Sequence, residues 1–495
     1  MALASVHESR GKGGRMRSTV LVTVMAALVV TLAAGATGAT TKGVASVERS
    51  SSATRVDLST RVAVNRYLRS LGIAVSRVVV QRGVRNYAGP RCPGKRWTCT
   101  RSGTVVQIAH SGGKNRFECT NGTDSAPGSD QACTVVQVGP AENVARCVER
   151  TGNPDSVQTC TIVQSNENRR NRAFVFQVSN QEATGGTQDG LQTAKVTQTN
   201  ATGANRVEIT QKIRQRLSRT GGGEAIDQIQ DGHLWLSVHQ TTESGDNRST
   251  FRQAQRQRAR AADAPSITQL QNTEDVDNSE ICPLVTDSLA NACAQVVQES
   301  DSGKIRSWGS QFFRQRQEAQ DTETGVQMQG LVDPTQGGGD HFFHQTSSGI
   351  SHAFSRQTER LRQIAINTGD LTKTQHGPFR KGTDSSQFGN PADRIKIQQR
   401  STLLSAADAI QTDLLLGGFV TSGHGTVRQR ASIQGQVTTN SCEGQACQAE
   451  IACGDLSPPS EGSLTSLYEE EPPCVATSEN DGSELRLKRG AERGR

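Results

Sequence analysis

Three segments of this 495-residue chain obey one spacing rule. They run from Gln164 through Asn171-Arg172 to Gln177, from Gln198 through Asn205-Arg206 to Gln211, and from Gln240 through Asn247-Arg248 to Gln253. The rule is Q-x6-N-R-x4-Q, and Gln298 through Ile305-Arg306 to Gln311 keeps it with Ile in the Asn slot. Looser copies surround these. Gln107 precedes Asn115-Arg116, Gln137 precedes Asn143, Gln269 precedes Asn278, Gln345 precedes His352 and Gln387 precedes Asn390.

Side-chain parity says what the unit is. Every second residue from Asn gives Ala173, Val175, Gln177, then Val207, Ile209, Gln211, then Ser249, Phe251, Gln253. The residues between are charged or hydroxylated, with Phe174 and Phe176 as exceptions. A period of two is a strand. Each unit therefore reads as a strand closing on Gln, a polar turn of six residues, and a strand opening on Asn. One such pair is marginal alone, and units that cannot bury their own faces are the mark of a solenoid. Buried amides need partners for two donors and an acceptor. Stacked at the ~4.8 Å strand spacing, identical amides supply them to one another. The expected ladder holds Gln107, Gln137, Gln164, Gln198, Gln240 and Gln298 at the first strand's end, Asn171, Asn205 and Asn247 at the second strand's start, and Gln177, Gln211, Gln253 and Gln311 beyond. The fold class is all-β: a β-solenoid of stacked β-hairpin repeats with a short N-terminal helix as cap.

Composition agrees. With 33% hydrophobic residues, 4% aromatics and 43 Gln, the chain has too little apolar mass for one deep core. A stack of thin rungs has no deep centre to fill. Unit starts lie 30, 27, 34, 42, 29, 29, 47 and 42 residues apart, so the loops between units read as variable insertions.

The unit resembles the curlin repeat of bacterial curli fibres: a Gln, a Gly-rich turn, then N-x-A-x-h-x-Q. Asn171-Arg-Ala173-Phe-Val175-Phe-Gln177 matches the second half position for position, and Gln137-Val-Gly139 with Asn143-Val-Ala145 carries the family's Gln, Gly, Asn and Ala. The resemblance spans roughly residues 103–400. It implies stacked strands, a bacterial source and assembly into fibres. The units here are longer, irregular and cysteine-bearing.

Residues 1–39 have the layout of an export signal: Arg10, Lys12, Arg15 and Arg17, then the apolar run Val20–Ala34, then small residues offering cleavage sites. Removing them takes away four basic residues and Glu8, leaving about +4 of the formal +7. Residues 40–100 read as spacer, helical cap and first strand, with the helix over 53–71 and a strand over 73–81; 101–440 is the irregular repeat region; 441–495 is a cysteine-containing cap and loose tail. All twelve cysteines follow the signal: Cys92, Cys99, Cys119, Cys133, Cys147, Cys160, Cys282, Cys293, Cys442, Cys447, Cys453 and Cys474. An even number in an exported chain favours disulfides. Sequential pairing (Cys119–Cys133, Cys147–Cys160, Cys282–Cys293) is favoured over pairing along the stack. Cys293 lies five before Gln298, off the inward parity.

Catalytic constellations are thin. The chain has no G-x-S-x-G elbow, no phosphate-binding glycine motif and no CxxC pair, and His341 and His344 have opposite strand parity. No enzyme activity, metal or cofactor is expected. Arg116, Arg172, Arg206, Arg248 and Arg306 would form an outward row. That row serves solubility and edge protection, or acts as a ladder for an acidic polysaccharide. Basic and acidic residues are interleaved, and no sustained basic stripe calls for nucleic acid. The expectation is a secreted structural or adhesive protein of the cell surface or matrix. Its partners would be other copies of itself or a surface polysaccharide, with no membrane span once the signal is removed. The alternatives are a carbohydrate-binding or carbohydrate-cleaving β-helix and a fibre-forming curlin-like subunit.

Overall fold

The computed structural model describes residues 58–75, 78–89, 104–121, 131–153, 155–271, 292–329, 339–376, 383–388, 393–405, 410–419, 424–432, 436–443, 447–453, 475–478 and 484–487. The expected signal, the spacer before residue 58, and Cys92, Cys99, Cys282 and Cys474 lie outside them. The chain forms two compact units, Met1–Val75 and Ser76–Arg495.

In the first unit the expected helix is Arg61–Ser70, capped by the Thr60 hydroxyl, which accepts from the Ala63 amide at 3.1 Å. Gly72, at φ 68°, ends it. Val64 and Leu68, four apart, are buried, whereas Val62 is 68% exposed.

The second unit is a parallel β-solenoid of 23 described strands. Val78–Ala88 pairs with Thr104–Asn121, whose two halves then seed two stacks. The first stack runs through Gln131–Val138, Asp155–Asn166, Gly186–Asn200, His233–Thr242, Ala292–Ser300, Gly339–Ser347 and Thr383–Phe388. The second runs through Glu142–Thr151, Asn171–Ala183, Asn205–Thr220, Asn247–Gln271, Ile305–Gln329, Ser351–His376, Arg394–Leu404 and His424–Ser432. Pairing carries on past residue 440, through Gln436–Glu443 and Cys447–Cys453 to Val475–Ser478 and Glu484–Leu487. The repeat backbone thus extends into the stretch expected to be a separate cap.

Register is held slot against slot. Gln164, Gln198, Gln240, Gln298 and Gln345 lie opposite one another along the first stack. Asn143, Asn171, Asn205 and Asn247 do so along the second, where Ile305 and Ser351 follow. A slip of one residue would turn every inward side chain out. The core is a narrow strip of Val135, Ile162, Val175, Val196, Ile209, Val238, Phe251 and their neighbours between the stacks. Size is balanced between rungs. Phe251 fills the space beside Gly309, where an added Cβ would lie 2.1 Å from the Phe251 ring. Turns also stack backbone on backbone. A Cβ on Gly303 would meet the Gly245 carbonyl oxygen at 1.8 Å, so this turn position takes only glycine.

Two expectations need correction. The loops between units are in large part strand. Asn247–Gln271, Ile305–Gln329 and Ser351–His376 run well past their closing Gln, turn a second corner, and return to pair with the neighbouring rungs. The corners are Asp263, Asp321 and Asn367, each at positive φ (54°, 52°, 52°) and each sixteen residues after its strand opens. Asp and Asn are the non-glycine residues that best tolerate that conformation. Secondly, Gln269 does not open a unit. It stands on a return segment opposite Gln228 and Gln327, so the step from Gln240 leads straight to Gln298.

Candidate functional site

The amides form hydrogen-bonded ladders. Gln107 donates to Gln81, Gln137 to Gln107, Gln164 to Gln137, Gln198 to Gln164, Gln240 to Gln198 and Gln298 to Gln240, all at 2.6–2.8 Å. The second proton of each amide from Gln107 to Gln240 goes to a carbonyl on the facing strand, for example that of Arg172 or Arg206. The Asn ladder runs the other way, Asn143 donating to Asn171, Asn171 to Asn205 and Asn205 to Asn247, at 2.9 Å each. Further along, Gln211 donates to Gln177, Gln253 to Gln211 and Gln311 to Gln253 at 2.8–3.0 Å. Every amide of the expected ladder, from Gln107 to Gln311, is thus in one.

Sequence reading missed further ladders. Gln181, Gln215, Gln257 and Gln315 form one more ladder, and Gln188, Gln230, Gln271, Gln329 and Gln375 another. The signal of the first is the same inward parity, each of its Gln standing four residues past a closing Gln. Also missed were turn caps two residues after Gln198, Gln240, Gln298 and Gln345. Asn200, Thr242, Ser300 and Ser347 accept from the amides of Gly203, Gly245, Gly303 and Gly349 at 2.8–2.9 Å.

The cysteine register gathers a buried cluster. Cys119 lies opposite Cys147, and Cys133 opposite Cys160. Cys119 and Cys133 form a disulfide with Cα atoms 6.2 Å apart, the sequential pairing expected. Cys147 and Cys160 occupy the same places one rung on, but they are hydrogen-bonded thiols rather than the expected disulfide. Burial pushes both thiols up. Beside them Glu149 takes the slot that Gln177 holds on the next rung and accepts from the Gln177 amide at 2.7 Å. Burial holds its carboxyl well above the usual range, against the lowering effect of that hydrogen bond. Sulfurs of Cys133 and Cys147 and a Glu149 oxygen lie within 4.8 Å of one another. Since Cys133 is bonded to Cys119, the cluster offers one thiol and one carboxyl for a metal, short of the usual four-ligand site. Cys293 is disulfide-bonded, and its outward side packs on Trp235.

The outer surface separates into two chemistries. Outward positions of the first stack carry Thr159, Thr161, Thr193, Thr197, Ser237, Thr241 and Thr346, with Asp155, Asp189, Lys195 and Glu299 among them and no arginine on the described strands of that stack. The second stack is covered in arginine. The row that follows the Asn slot reads Arg116, Val144, Arg172, Arg206, Arg248, Arg306, His352, Arg394. All five arginines named from sequence are in it. Two denser rows lie farther along the strands: Arg214, Arg256, Arg314, Arg360, and Arg216, Arg258, Arg316, Arg362. Interleaving along the chain hid them, because folding puts only alternate residues on this face. Glu318 sits among them, 3.2 Å from Arg316 and 3.5 Å from Arg258. Desolvation and the charges of Arg360, Arg256, Arg316 and Arg362 lower the Arg314 pKa. Like charges one strand apart oppose folding, roughly 1 kcal/mol per neighbouring pair in water.

Aromatic rings are set among these cations. Arg146 lies over Phe174, and Arg150 and Lys212 over Phe176, at 5.5–5.7 Å, which accounts for the two outward phenylalanines. Trp308 is 55% exposed. Asn200 and Asn247, formal glycosylation acceptors, are buried in the turn and the ladder.

Comparison with protein-family models, curated proteins and solved structures returns no match. Among the described residues no helix is long and apolar enough to cross a membrane.

Proposed function

We propose that this is an exported, non-enzymatic scaffold whose arginine-covered face adheres to an acidic polymer of the cell surface or matrix. The observation that carries the reading is the pair of four-arginine rows, Arg214 to Arg360 and Arg216 to Arg362, in strict register. Stacked like charges weaken the isolated fold, and a rigid polyanion lying along the rungs would neutralise them. The curlin-like repeat and the amide ladders support a structural role: most inward positions are committed to holding rungs together. The export signal and the Cys119–Cys133 disulfide support an oxidising compartment. The test is retention of the mature protein on immobilised polyuronate and on a neutral glucan. Binding to the first alone, released by salt, is expected. Equal retention on both, or on neither, would overturn the reading.

A further inference from the structure

On the arginine face a surface cleft of about 320 Å³ opens around Trp308. We propose that it is a saccharide subsite, taking one acidic pyranose unit of the bound polymer. Thr250, Trp308, Phe354 and Lys396 occupy successive rungs of one outward row. The row's large side chains give way at Thr250 to a small one, and this leaves a seat one rung wide beside the indole. The Phe354 and Trp308 rings meet at 74° with centroids 5.7 Å apart, and the Lys396 ammonium lies 6.0 Å from the centre of the Phe354 ring. Trp308 is braced on that side and keeps 55% of its surface exposed. An exposed indole lining a cleft offers an apolar ring surface to the C–H face of a sugar ring. Arg248 and Arg306, two residues nearer the turn on the same strands, line the same cleft. A guanidinium takes a carboxylate through two parallel hydrogen bonds. Platform and guanidinium together match a sugar carrying a carboxylate at its rim, which a bare phosphate chain does not use.

A single-stranded nucleic acid would also bring rings and charge. Its binding calls for successive stacking platforms along a groove, whereas this row holds one open ring, because Phe354 is packed between Trp308 and Lys396. The occupant is therefore a linear polyuronate. This subsite rests on the adhesive reading above, and its test separates the two.

The mature full-length chain is titrated with an oligouronate, inorganic polyphosphate and oligo-dT of matched length, reading affinity and tryptophan fluorescence. The expected result is oligouronate binding with a change in indole emission. Trp308→Ala and Thr250→Arg should each lower oligouronate affinity about tenfold while leaving polyphosphate binding in place. Thr250→Arg fills the seat but adds charge, so a loss of oligouronate binding there cannot be a charge effect. Oligouronate binding unaffected by either variant would remove the subsite and leave the adhesive face standing. Oligo-dT bound more tightly than oligouronate, with Trp308 quenched, would replace the saccharide by a nucleic acid. A wild type that binds none of the three would overturn the adhesive reading itself.

Discussion

At the scale of single residues, two buried positions carry sharp consequences. Glu149 stands where the ladder wants an amide, and its carboxyl titrates above the usual range because it is buried. A group whose folded pKa is raised stabilises the fold below its unfolded value, near ~4.3 for Glu. That stabilisation is lost as pH climbs through the folded value. Glu149→Gln should therefore melt higher than the wild type at pH 8, with the gap closing toward pH 4. A gap independent of pH, followed by circular dichroism, would show that Glu149 is not buried as a carboxyl. Gly309 is the second position. Gly309→Ala forces a methyl into the Phe251 ring, and overpacking of this kind costs about 1–3 kcal/mol. A variant with Phe251→Val as well should recover most of that loss, a double-mutant measurement in which simple additivity would contradict the contact.

At the scale of the strand, stability lies in the ladders. The Gln253 amide donates to Gln211 at 2.9 Å and to the Leu234 carbonyl at 2.8 Å, and its oxygen accepts from Gln311 at 2.8 Å. Gln253→Leu would leave those partners buried and unmet, at about 1–3 kcal/mol for each. Because each rung touches mainly its neighbours, the damage should be local. Amide hydrogen exchange should quicken in Asn205–Thr220, Asn247–Gln271 and Ile305–Gln329 and stay slow in Glu142–Thr151. Uniform quickening along the chain would argue against an additive solenoid. The strands were legible from period-two parity near the repeat motif. Their continuation was not, since the corners at Asp263, Asp321 and Asn367 share only a spacing and a backbone conformation.

At the scale of the whole molecule, the solenoid sorts charge. A chain with a modest formal net charge of +7 gathers its dense arginine rows on one stack, while the other presents hydroxyls and scattered charges of both signs. Polyanion binding through the arginine rows should weaken with salt. Replacing Arg256, Arg314 and Arg360 together with Ser should lower polyuronate affinity at least tenfold and also raise thermal stability, since it removes like-charge contacts. A triple variant that binds as before would place the adhesive surface elsewhere.

The amino-acid sequence by itself determined that this chain stacks. Parity and amide spacing are local properties, and Gln177, Gln211, Gln253 and Gln311 could be matched by counting along it. It also singled out the arginine row that follows Asn, since Arg172, Arg206 and Arg248 occur at one place in one motif. Tertiary structure alone decided the rest. Rungs differ so much in length that Arg258 and Arg316, fifty-eight residues apart, become neighbours. No fixed period links them. The motif sets the register of the dense arginine rows and of Trp308, which stand at fixed offsets from Gln211, Gln253 and Gln311 and from the Asn slot; what only the stack decided is that these outward positions meet directly across insertions of unequal length, and that Cys147, Cys160 and Glu149 come to share one buried site.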